Sequence, residues 1–143
     1  MDSDRVVMYE QEIPDVLQAV SKVHQTVDSH GFDSSIYHLV MLRASQVNCC
    51  GYCVKMHTKD ARENGESSDR LDQIVVWDQG DEFNEREKVA LAWTEALTKL
   101  EPKTSFGALR AELREHFTEK EISLLTVNIT MINLWNRIRV SGH

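Results

Sequence analysis

Helical periodicity dominates this chain and leaves little room for β-structure. Apolar residues recur at intervals of three and four positions, which is the spacing of one face of an α-helix. Only two prolines and six glycines occur in 143 residues, and no turn dipeptide separates two alternating apolar runs. The pattern predicts an all-α bundle of about six to seven helices. No linker, internal repeat or low-complexity tract divides it, so we expect a single domain spanning residues 1–143.

Residues that start and stop helices indicate where these elements lie. Such signals are proline in a first turn, glycine beyond a last turn, and Ser, Thr or Asn with an acid three positions later. They predict segments, in chain order, at 14–31, 36–47, 51–64, 67–77, 84–101 and 106–117, and a last helix from residue 118. The expected capping residues are Ser34 or Ser35, Asn84 with Glu87, and Thr118 with Glu121.

Charge and hydropathy exclude several classes of partner. The formal net charge is -7 and no cluster of Lys and Arg stands out, which argues against nucleic acid and anionic membranes. No apolar run is long enough to span a bilayer, and no signal peptide is recognisable at the start. We therefore expect a cytoplasmic location, where a Cys-x-x-Cys pair is more often catalytic or metal-binding than a structural disulfide.

All three cysteines lie in one short segment, as Cys49, Cys50 and Cys53, and His57 follows four residues after the last. On a helix, offsets of three and four residues keep Cys50, Cys53 and His57 on one side. The free N–H groups at a helix start favour an anion and therefore the reactive thiolate. His57 can accept or pass on a proton. One sulfur can then attack a peroxide, and the other can condense with the resulting sulfenic acid.

Three interpretations of this segment remain open. A redox dithiol fits the spacing, the helix start and the reducing compartment, and we favour it. A zinc site would use Cys50, Cys53, His57 and a fourth ligand such as Cys49, but zinc sites usually take their second ligand pair from a separate segment. The third interpretation is a pair of buried core cysteines that happen to lie three residues apart.

A longer pattern surrounds the cysteines. It reads Leu-Arg-Ala-Ser-Gln-Val-Asn at 42–48, Cys-Gly-Tyr-Cys at 50–53 and Met-His-Thr-Lys-Asp-Ala at 56–61. Supporting segments follow at 65–66, 70–71, 77, 83, 85–87, 90–96 and 133–137. Together they resemble the alkyl hydroperoxide reductase D (AhpD) proteins of the carboxymuconolactone decarboxylase superfamily.

This resemblance implies an AhpD-like, obligately oligomeric bundle, commonly a homotrimer or homohexamer, that acts as a peroxidase. By the same likeness, the peroxide oxidises Cys53 to a sulfenic acid, Cys50 resolves it to a disulfide, and His57 belongs to the proton relay. The implied substrate is hydrogen peroxide or an organic hydroperoxide, and the implied reductant is an external dithiol, either a lipoyl group or a thioredoxin-like protein. No metal, flavin or haem cofactor is implied, because the dithiol carries both electrons.

Two positions depart from the family pattern. His38 stands twelve residues before the first motif cysteine, where the family usually has a relay glutamate. Histidine shuttles protons near neutral pH, so His38 is a candidate catalytic residue beside Cys50, Cys53 and His57, with simple packing as the alternative. Cys49 stands where a glycine or another small residue is usual. We interpret it as accessory, because adjacent cysteines rarely bond each other.

Other conspicuous residues have structural explanations. Apolar helical stripes contain three tryptophans that we expect in the core or in a subunit interface: Trp77, Trp93 and Trp135. Four further histidines lack a partner at functional spacing and are predicted to be solvated: His24, His30, His116 and His143. We expect Arg137 to anchor a buried ion pair. Few charges occur between Glu121 and Arg137, which suggests a surface buried by a neighbouring subunit.

The sequence thus predicts a thiol-dependent peroxidase that reduces hydrogen peroxide or organic hydroperoxides through a dithiol/disulfide cycle. The enzymatic alternative is a cysteine-independent decarboxylase or lactone-opening enzyme of the same superfamily, against which the cysteine pair counts. The non-enzymatic alternative is a redox- or zinc-sensing interaction protein. These alternatives differ in what the two cysteines do, and each therefore predicts different surroundings for the cysteines in the fold.

Overall fold

The computed structural model describes residues 3–142, so the prediction for His143 lies outside the described residues. Between residues 3 and 142 the regular structure is entirely helical, which confirms the all-α prediction. The helices are α1 (Tyr9–Glu12), α2 (Pro14–Asp28), α3 (Ser34–Val47), α4 (Gly51–Glu63), α5 (Ser68–Gln73), α6 (Glu85–Lys99), α7 (Phe106–Arg114) and α8 (Glu119–Gly142), with a 3₁₀ turn at Ile74–Val76.

One short element accounts for the difference between the predicted and observed numbers of helices. α1 has only four residues and contains no buried residue, so no apolar stripe marks it in the sequence. α7 is shorter than predicted, because it ends at Arg114 and the chain then turns. Phe117, which was expected to end this helix, instead packs into the core and is 5% exposed.

Capping boxes start both long helices of the second half, as predicted. At α6 the Glu87 amide N–H donates to Asn84 Oδ1 (2.8 Å), and the Asn84 amide N–H donates to Glu87 Oε1 (2.9 Å). Ahead of α8, the Glu121 amide N–H donates to the Thr118 hydroxyl oxygen (3.1 Å), and the Thr118 amide N–H donates to the Glu121 carboxylate (3.3 Å). Each pair satisfies two N–H groups that the helix itself leaves free.

The start of α3 differs from the prediction, because Asp33 caps it rather than Ser34 or Ser35. The Asp33 carboxylate accepts the amide N–H groups of Ser35 (3.0 Å) and Ile36 (3.2 Å). Ser34 is already the first helical residue, so neither serine stands at the position from which a side chain reaches the free N–H groups.

α3 lies at the centre of the fold and contributes to two apolar clusters. Residues 39–42 are all buried, so this helix has neighbours on opposite sides. Met41 belongs to a cluster with Ile129 that joins α3 to α6, α7 and α8. Leu42 belongs to a second cluster with Leu91 that joins α3 to α4, α5 and α6. Burial of side chains of this size contributes about 1.5 to 3 kcal/mol each, which makes α3 the main apolar support of the fold.

The apolar face of α8 is covered by the same chain. Its residues Leu125, Ile129 and Ile132 are at most 2% exposed and belong to the cluster around α3 and α6. The low charge of α8 is therefore explained within one subunit, and the oligomer stays a prediction. Within the described residues, no helix is both long enough and apolar enough to cross a membrane.

A buried polar network ties the turn between α3 and α4 to α8. Asn136 is fully buried, its Nδ2 donates to Ser45 Oγ (3.1 Å), and its Oδ1 accepts from Asn48 Nδ2 (2.9 Å). Asn48 Nδ2 also donates to Asn133 Oδ1 (3.0 Å). Arg137 is exposed and donates to Asn133, so the predicted buried ion pair is wrong. One residue turns a helix by about 100°, which is why Asn136 rather than Arg137 faces the interior.

Replacing Asn136 with leucine should destabilise the fold by about 2 to 3 kcal/mol, because it removes two hydrogen bonds from a buried network and forces a branched apolar side chain against the polar groups of Ser45 and Asn48. Urea denaturation of the oxidised protein measures this change. Val127→Ala, at an exposed position of α8 outside this network, is the control, and we expect a change within about 0.5 kcal/mol. An Asn136→Leu variant as stable as the parent would contradict this view of the network.

Candidate active site

The two motif cysteines lie at the start of α4 and are joined by a disulfide bond. Cys50 is the residue that precedes the helix, and Cys53 lies in its first turn. Their Cα atoms are 5.2 Å apart, and the two residues are 2% and 4% exposed. The Cys50 amide N–H donates to the Ser45 carbonyl oxygen (3.1 Å). Because Ser45 also bonds to Asn136, the asparagine network holds the start of α4 in place.

Cys49 occupies the turn between α3 and α4 and takes no part in the disulfide. Its thiol is free and exposed. Its backbone φ is +55°, a left-handed conformation that costs a residue with a Cβ about 1 to 2 kcal/mol. Glycine adopts this conformation without that cost, so the backbone at this position suits a glycine better than a cysteine.

His57 lies one helical turn after Cys53, and the two residues line the same cavity. Its Nδ1 is buried and has no hydrogen-bond partner among the described residues, while the Asp60 carboxylate lies 4.0 Å away. Burial lowers the pKa of His57; Asp60 offsets part of this effect, and repulsion from His38 and His24 adds to it. His57 is therefore neutral at pH 7 and able to accept a proton.

His24, which was predicted to be solvated, is instead half-buried where α2 meets α8. The indole N–H of Trp135 donates to His24 Nε2 at 2.6 Å, with the two rings 17° from parallel. Burial lowers the pKa of His24, and Asp28 partly offsets this effect. A signal for this burial exists in the sequence. Leu17 and Val27, the buried residues of α2, lie seven residues before and three residues after His24, on the same face of the helix.

His38 lies on α3 and is only partly buried. Its Nδ1 is buried and has no hydrogen-bond partner within residues 3–142, and its ring packs edge-on against Tyr37 with centroids 5.3 Å apart. His38 influences the pKa of His57 through charge repulsion. It does not, however, line either of the two cavities that reach Cys53. Its role in a proton relay stays a prediction.

Two cavities meet at Cys53. The first, named here the N-terminal cavity, has a volume of about 460 Å³ and lies between residues 7–11, the start of α4 and the end of α8. Most of its wall is apolar and consists of Val7, Met8, Tyr52, Met56, Trp135 and Ile138. The second, named the histidine cavity, has a volume of about 340 Å³ and is lined by His24, Asp28, Tyr37, Met41, His57 and Ile132. Cys53, Met56 and Trp135 line both cavities.

Residues 7–11 close one side of the N-terminal cavity by binding to the end of α8. The Val7 amide N–H donates to the Gly142 carbonyl oxygen (3.2 Å), and the hydroxyls of Tyr9 and Ser141 share a hydrogen bond of 3.0 Å. Gly142 permits this close approach, because a Cβ there would lie 3.2 Å from the Tyr9 ring. The wall thus comes from a segment that no sequence periodicity identifies.

The fold brings Cys50, Cys53 and His57 together, in agreement with their spacing. It adds His24, which was predicted to be solvated, and Trp135, which was predicted to pack in the core or in a subunit interface. Within residues 3–142, no three His, Cys, Asp or Glu side chains are grouped so that they could hold a metal ion. The arrangement offers a sulfur pair, two neutral imidazoles and an apolar cavity at one point of the surface.

Comparison of the sequence with known proteins gives one family and two close relatives. Residues 14–96 match the model of the carboxymuconolactone decarboxylase family. The uncharacterised protein YdfG of Bacillus subtilis is 32% identical over 139 residues, which cover 97% of this chain and 94% of YdfG. The uncharacterised protein YnjA of Escherichia coli is 33% identical over 102 residues, which cover 71% of this chain and 56% of YnjA.

Comparison of the fold with solved structures agrees with this family. A protein of Agrobacterium tumefaciens, described as being of unknown function and as a candidate antioxidant defence protein AhpD, matches with a TM-score of 0.90 and 35% identity over 96% of this chain and 94% of its own. The debrominase Bmp8 matches with a TM-score of 0.80 and 18% identity over 92% of this chain and 71% of its own. At that identity, the likeness to Bmp8 concerns the fold alone.

The lowered pKa values of His57 and His24 should make folding depend on pH. In the unfolded chain a histidine titrates near pH 6.5, so just below that pH the unfolded chain binds more protons than the folded one. The free energy of unfolding is therefore at its full value above about pH 6.5, as far as these two histidines are concerned. It decreases as the pH falls from there through the lower pKa values of the folded state. Urea denaturation at pH 7.5 and at lower pH should show this loss.

The variant that tests this assignment is His57→Gln, which should lose less stability on acidification than the parent. His30→Gln, at an exposed position, is the matched control and should behave like the parent. If His57→Gln and the parent lose the same free energy of unfolding between the two pH values, His57 is not the group responsible.

Proposed function

This chain is an AhpD-like member of the carboxymuconolactone decarboxylase family, and we propose that it is a thiol-dependent peroxidase that reduces organic hydroperoxides through Cys50 and Cys53. The observation that carries the proposal is the position of Cys53. It can bond to Cys50 at a helix start, and it lines one cavity with the neutral base His57 and another with an apolar wall. These are the parts that a two-cysteine peroxidase needs: a nucleophile, a resolving thiol, a base and room for a substrate.

Activation of the nucleophile follows from the helix start and from the burial of His57. The first N–H groups of α4 have no partner within the helix and carry partial positive charge, which favours a thiolate at Cys53. Cys50 precedes the helix, and its side chain makes no capping hydrogen bond to these N–H groups. They can therefore interact with the nearby sulfur of Cys53. His57 is neutral because of burial and accepts the thiol proton.

The proposed reaction conserves atoms and electrons. The Cys53 thiolate attacks the distal oxygen of the hydroperoxide, so that a sulfur–oxygen bond forms and the oxygen–oxygen bond breaks. The sulfur is oxidised by two electrons to a sulfenic acid, and the alkoxide that leaves takes the proton held by His57 and departs as an alcohol. The Cys50 thiol then loses its proton to a base and attacks the Cys53 sulfur. The disulfide bond forms, the sulfur–oxygen bond breaks, and the leaving hydroxide takes up one proton and departs as water.

The cavities support the assignment of Cys53 as the attacking sulfur and Cys50 as the resolving one. Cys53 lines both the N-terminal cavity and the histidine cavity, whereas Cys50 lines neither. Cys50 borders a separate depression of about 310 Å³ together with Cys49 and Arg139. A hydroperoxide bound beside His57 therefore meets Cys53 before Cys50.

Repeated turnover requires that an external dithiol reduce the Cys50–Cys53 disulfide. We propose a lipoyl group or a thioredoxin-like protein as this reductant, and a cytoplasmic location in which such dithiols are available.

We also propose a homotrimer or homohexamer. Support comes from large apolar side chains that one subunit leaves exposed near its N-terminal segment, namely Val6, Val7, Met8, Ile13 and Val16, and sedimentation velocity would distinguish these assemblies from a monomer.

The test of the peroxidase function is stopped-flow reaction of the pre-reduced protein with a hydroperoxide. We expect the parent to lose two thiols per hydroperoxide, Cys53→Ser to be inert, and Cys50→Ser to stop at a sulfenic acid that a dimedone probe captures. Cys49→Ser is the matched control and should still lose two thiols. A reduced parent that does not react with any hydroperoxide would reject this function and leave the sensor and cysteine-independent alternatives.

The apolar wall of the N-terminal cavity predicts a preference for bulky hydroperoxides. Ile138→Trp should fill part of this cavity and lower the ratio of kcat/KM for cumene hydroperoxide to kcat/KM for hydrogen peroxide about tenfold, equivalent to about 1.4 kcal/mol. Val127→Trp places the same side chain at an exposed position on α8 and should leave the ratio unchanged. An unchanged ratio in Ile138→Trp would mean that the substrate does not occupy this cavity.

A further inference from the structure

The hydrogen bond between Trp135 and His24 determines where His24 carries its proton. An indole nitrogen is only a donor, so His24 Nε2 must be the acceptor of the 2.6 Å bond. A neutral imidazole has one proton, which therefore sits on Nδ1. Protonation at Nε2 would set two N–H groups against each other and break the bond. Trp135 thus holds His24 as a neutral ring with an Nδ1–H donor.

His24 stands at the wall of the histidine cavity, and the protein leaves its Nδ1 without a hydrogen bond within the described residues, 3–142. The His24 ring lines the cavity of about 340 Å³ that Cys53 and His57 also line. Asp28, one turn along α2, lines it too and is the nearby group of opposite charge that acts on His24. The wall of the cavity therefore includes a sulfur, a neutral base and a second neutral histidine whose Nδ1–H is not used by the described part of the protein.

The proposed reaction has a use for such a donor. When the Cys53 thiolate breaks the oxygen–oxygen bond, negative charge develops on the leaving oxygen, and an alkoxide is a strongly basic leaving group. A fixed N–H group in a partly dry site stabilises such charge as it forms, and a neutral imidazole can act in this way without giving up its proton. His57 holds the thiol proton at this stage and is the residue that returns it.

We propose that His24 is a catalytic residue whose Nδ1–H donates a hydrogen bond to the leaving oxygen of the hydroperoxide, an inference that rests on the proposed peroxidase function. The proton balance is unaffected by His24. The thiol proton moves from Cys53 to His57 and then to the alkoxide, while His24 keeps its own proton. Trp135 is the positioning residue, because it sets the tautomer of His24.

The experiment compares two oxidants that differ in the basicity of their leaving group. tert-Butyl hydroperoxide expels a strongly basic alkoxide, whereas peracetic acid expels acetate, which needs little help. Second-order rate constants for oxidation of the pre-reduced protein are measured by stopped flow for both. His24→Phe should slow the reaction with tert-butyl hydroperoxide about 100-fold and slow that with peracetic acid far less. His24→Gln, which keeps an N–H donor, should recover part of the loss.

Two further variants make the result independent of any single substitution. Trp135→Phe removes the hydrogen bond that fixes the tautomer of His24, so both tautomers can form. The ratio of the rate constant for tert-butyl hydroperoxide to that for peracetic acid should fall, by a smaller factor than in His24→Phe. His30→Phe, the same change at an exposed position, should leave the ratio as in the parent. Circular dichroism of each variant shows whether the helices are retained.

The outcomes separate this inference from the function on which it rests. If the reduced parent reacts with neither oxidant, the peroxidase function is rejected, and the role of His24 falls with it. If the parent reacts but His24→Phe slows both oxidants equally, His24 has only a structural role and the inference is overturned. If the ratio falls in His24→Phe but is unchanged in Trp135→Phe, Trp135 is not the positioning residue and that part of the inference is overturned.

Discussion

The buried hydrogen bonds of Asn136 are the constraint on which the arrangement of the site depends. They join the end of α3 and the following turn to α8, and Ser45 passes this restraint to the backbone of Cys50. α3 is itself fixed by apolar contacts on two sides. The cysteine pair is therefore attached to two helices with buried apolar faces, α3 and α8, although it lies at the end of a turn. That attachment is what keeps the sulfurs at the junction of two cavities.

Burial supplies the second condition for chemistry at this junction, because it keeps imidazoles neutral. Desolvation lowers the pKa of both His57 and His24, and only one of the two has a fixed hydrogen-bond partner. His57 Nδ1 has no partner within the described residues, and His24 accepts from Trp135. A neutral ring without a partner can take a proton, and a neutral ring held in one tautomer can donate a hydrogen bond. Two residues of the same type are in this way suited to different tasks.

Family membership alone leaves the reaction open. The family model carries the name of a decarboxylase, a close structural relative is described as a candidate AhpD antioxidant protein, and a more distant protein with the same fold is a debrominase. Function on a shared fold has to be argued from the site. In this chain the site has a cysteine pair within bonding distance, a neutral base in a cavity with Cys53 and an apolar space beside it.

The sequence by itself determined what local interactions control. Capping boxes at Asn84 and Thr118 were predictable because both partners lie within one turn, and the common side of Cys53 and His57 follows from helix geometry. Only the tertiary structure decided the rest. The contact of His24 with Trp135 joins residues 111 positions apart, the apolar cavity needs an aperiodic N-terminal segment, and the choice between Asn136 and Arg137 depends on where neighbouring helices lie. Such contacts depend on how helices pack, which short-range sequence patterns do not encode.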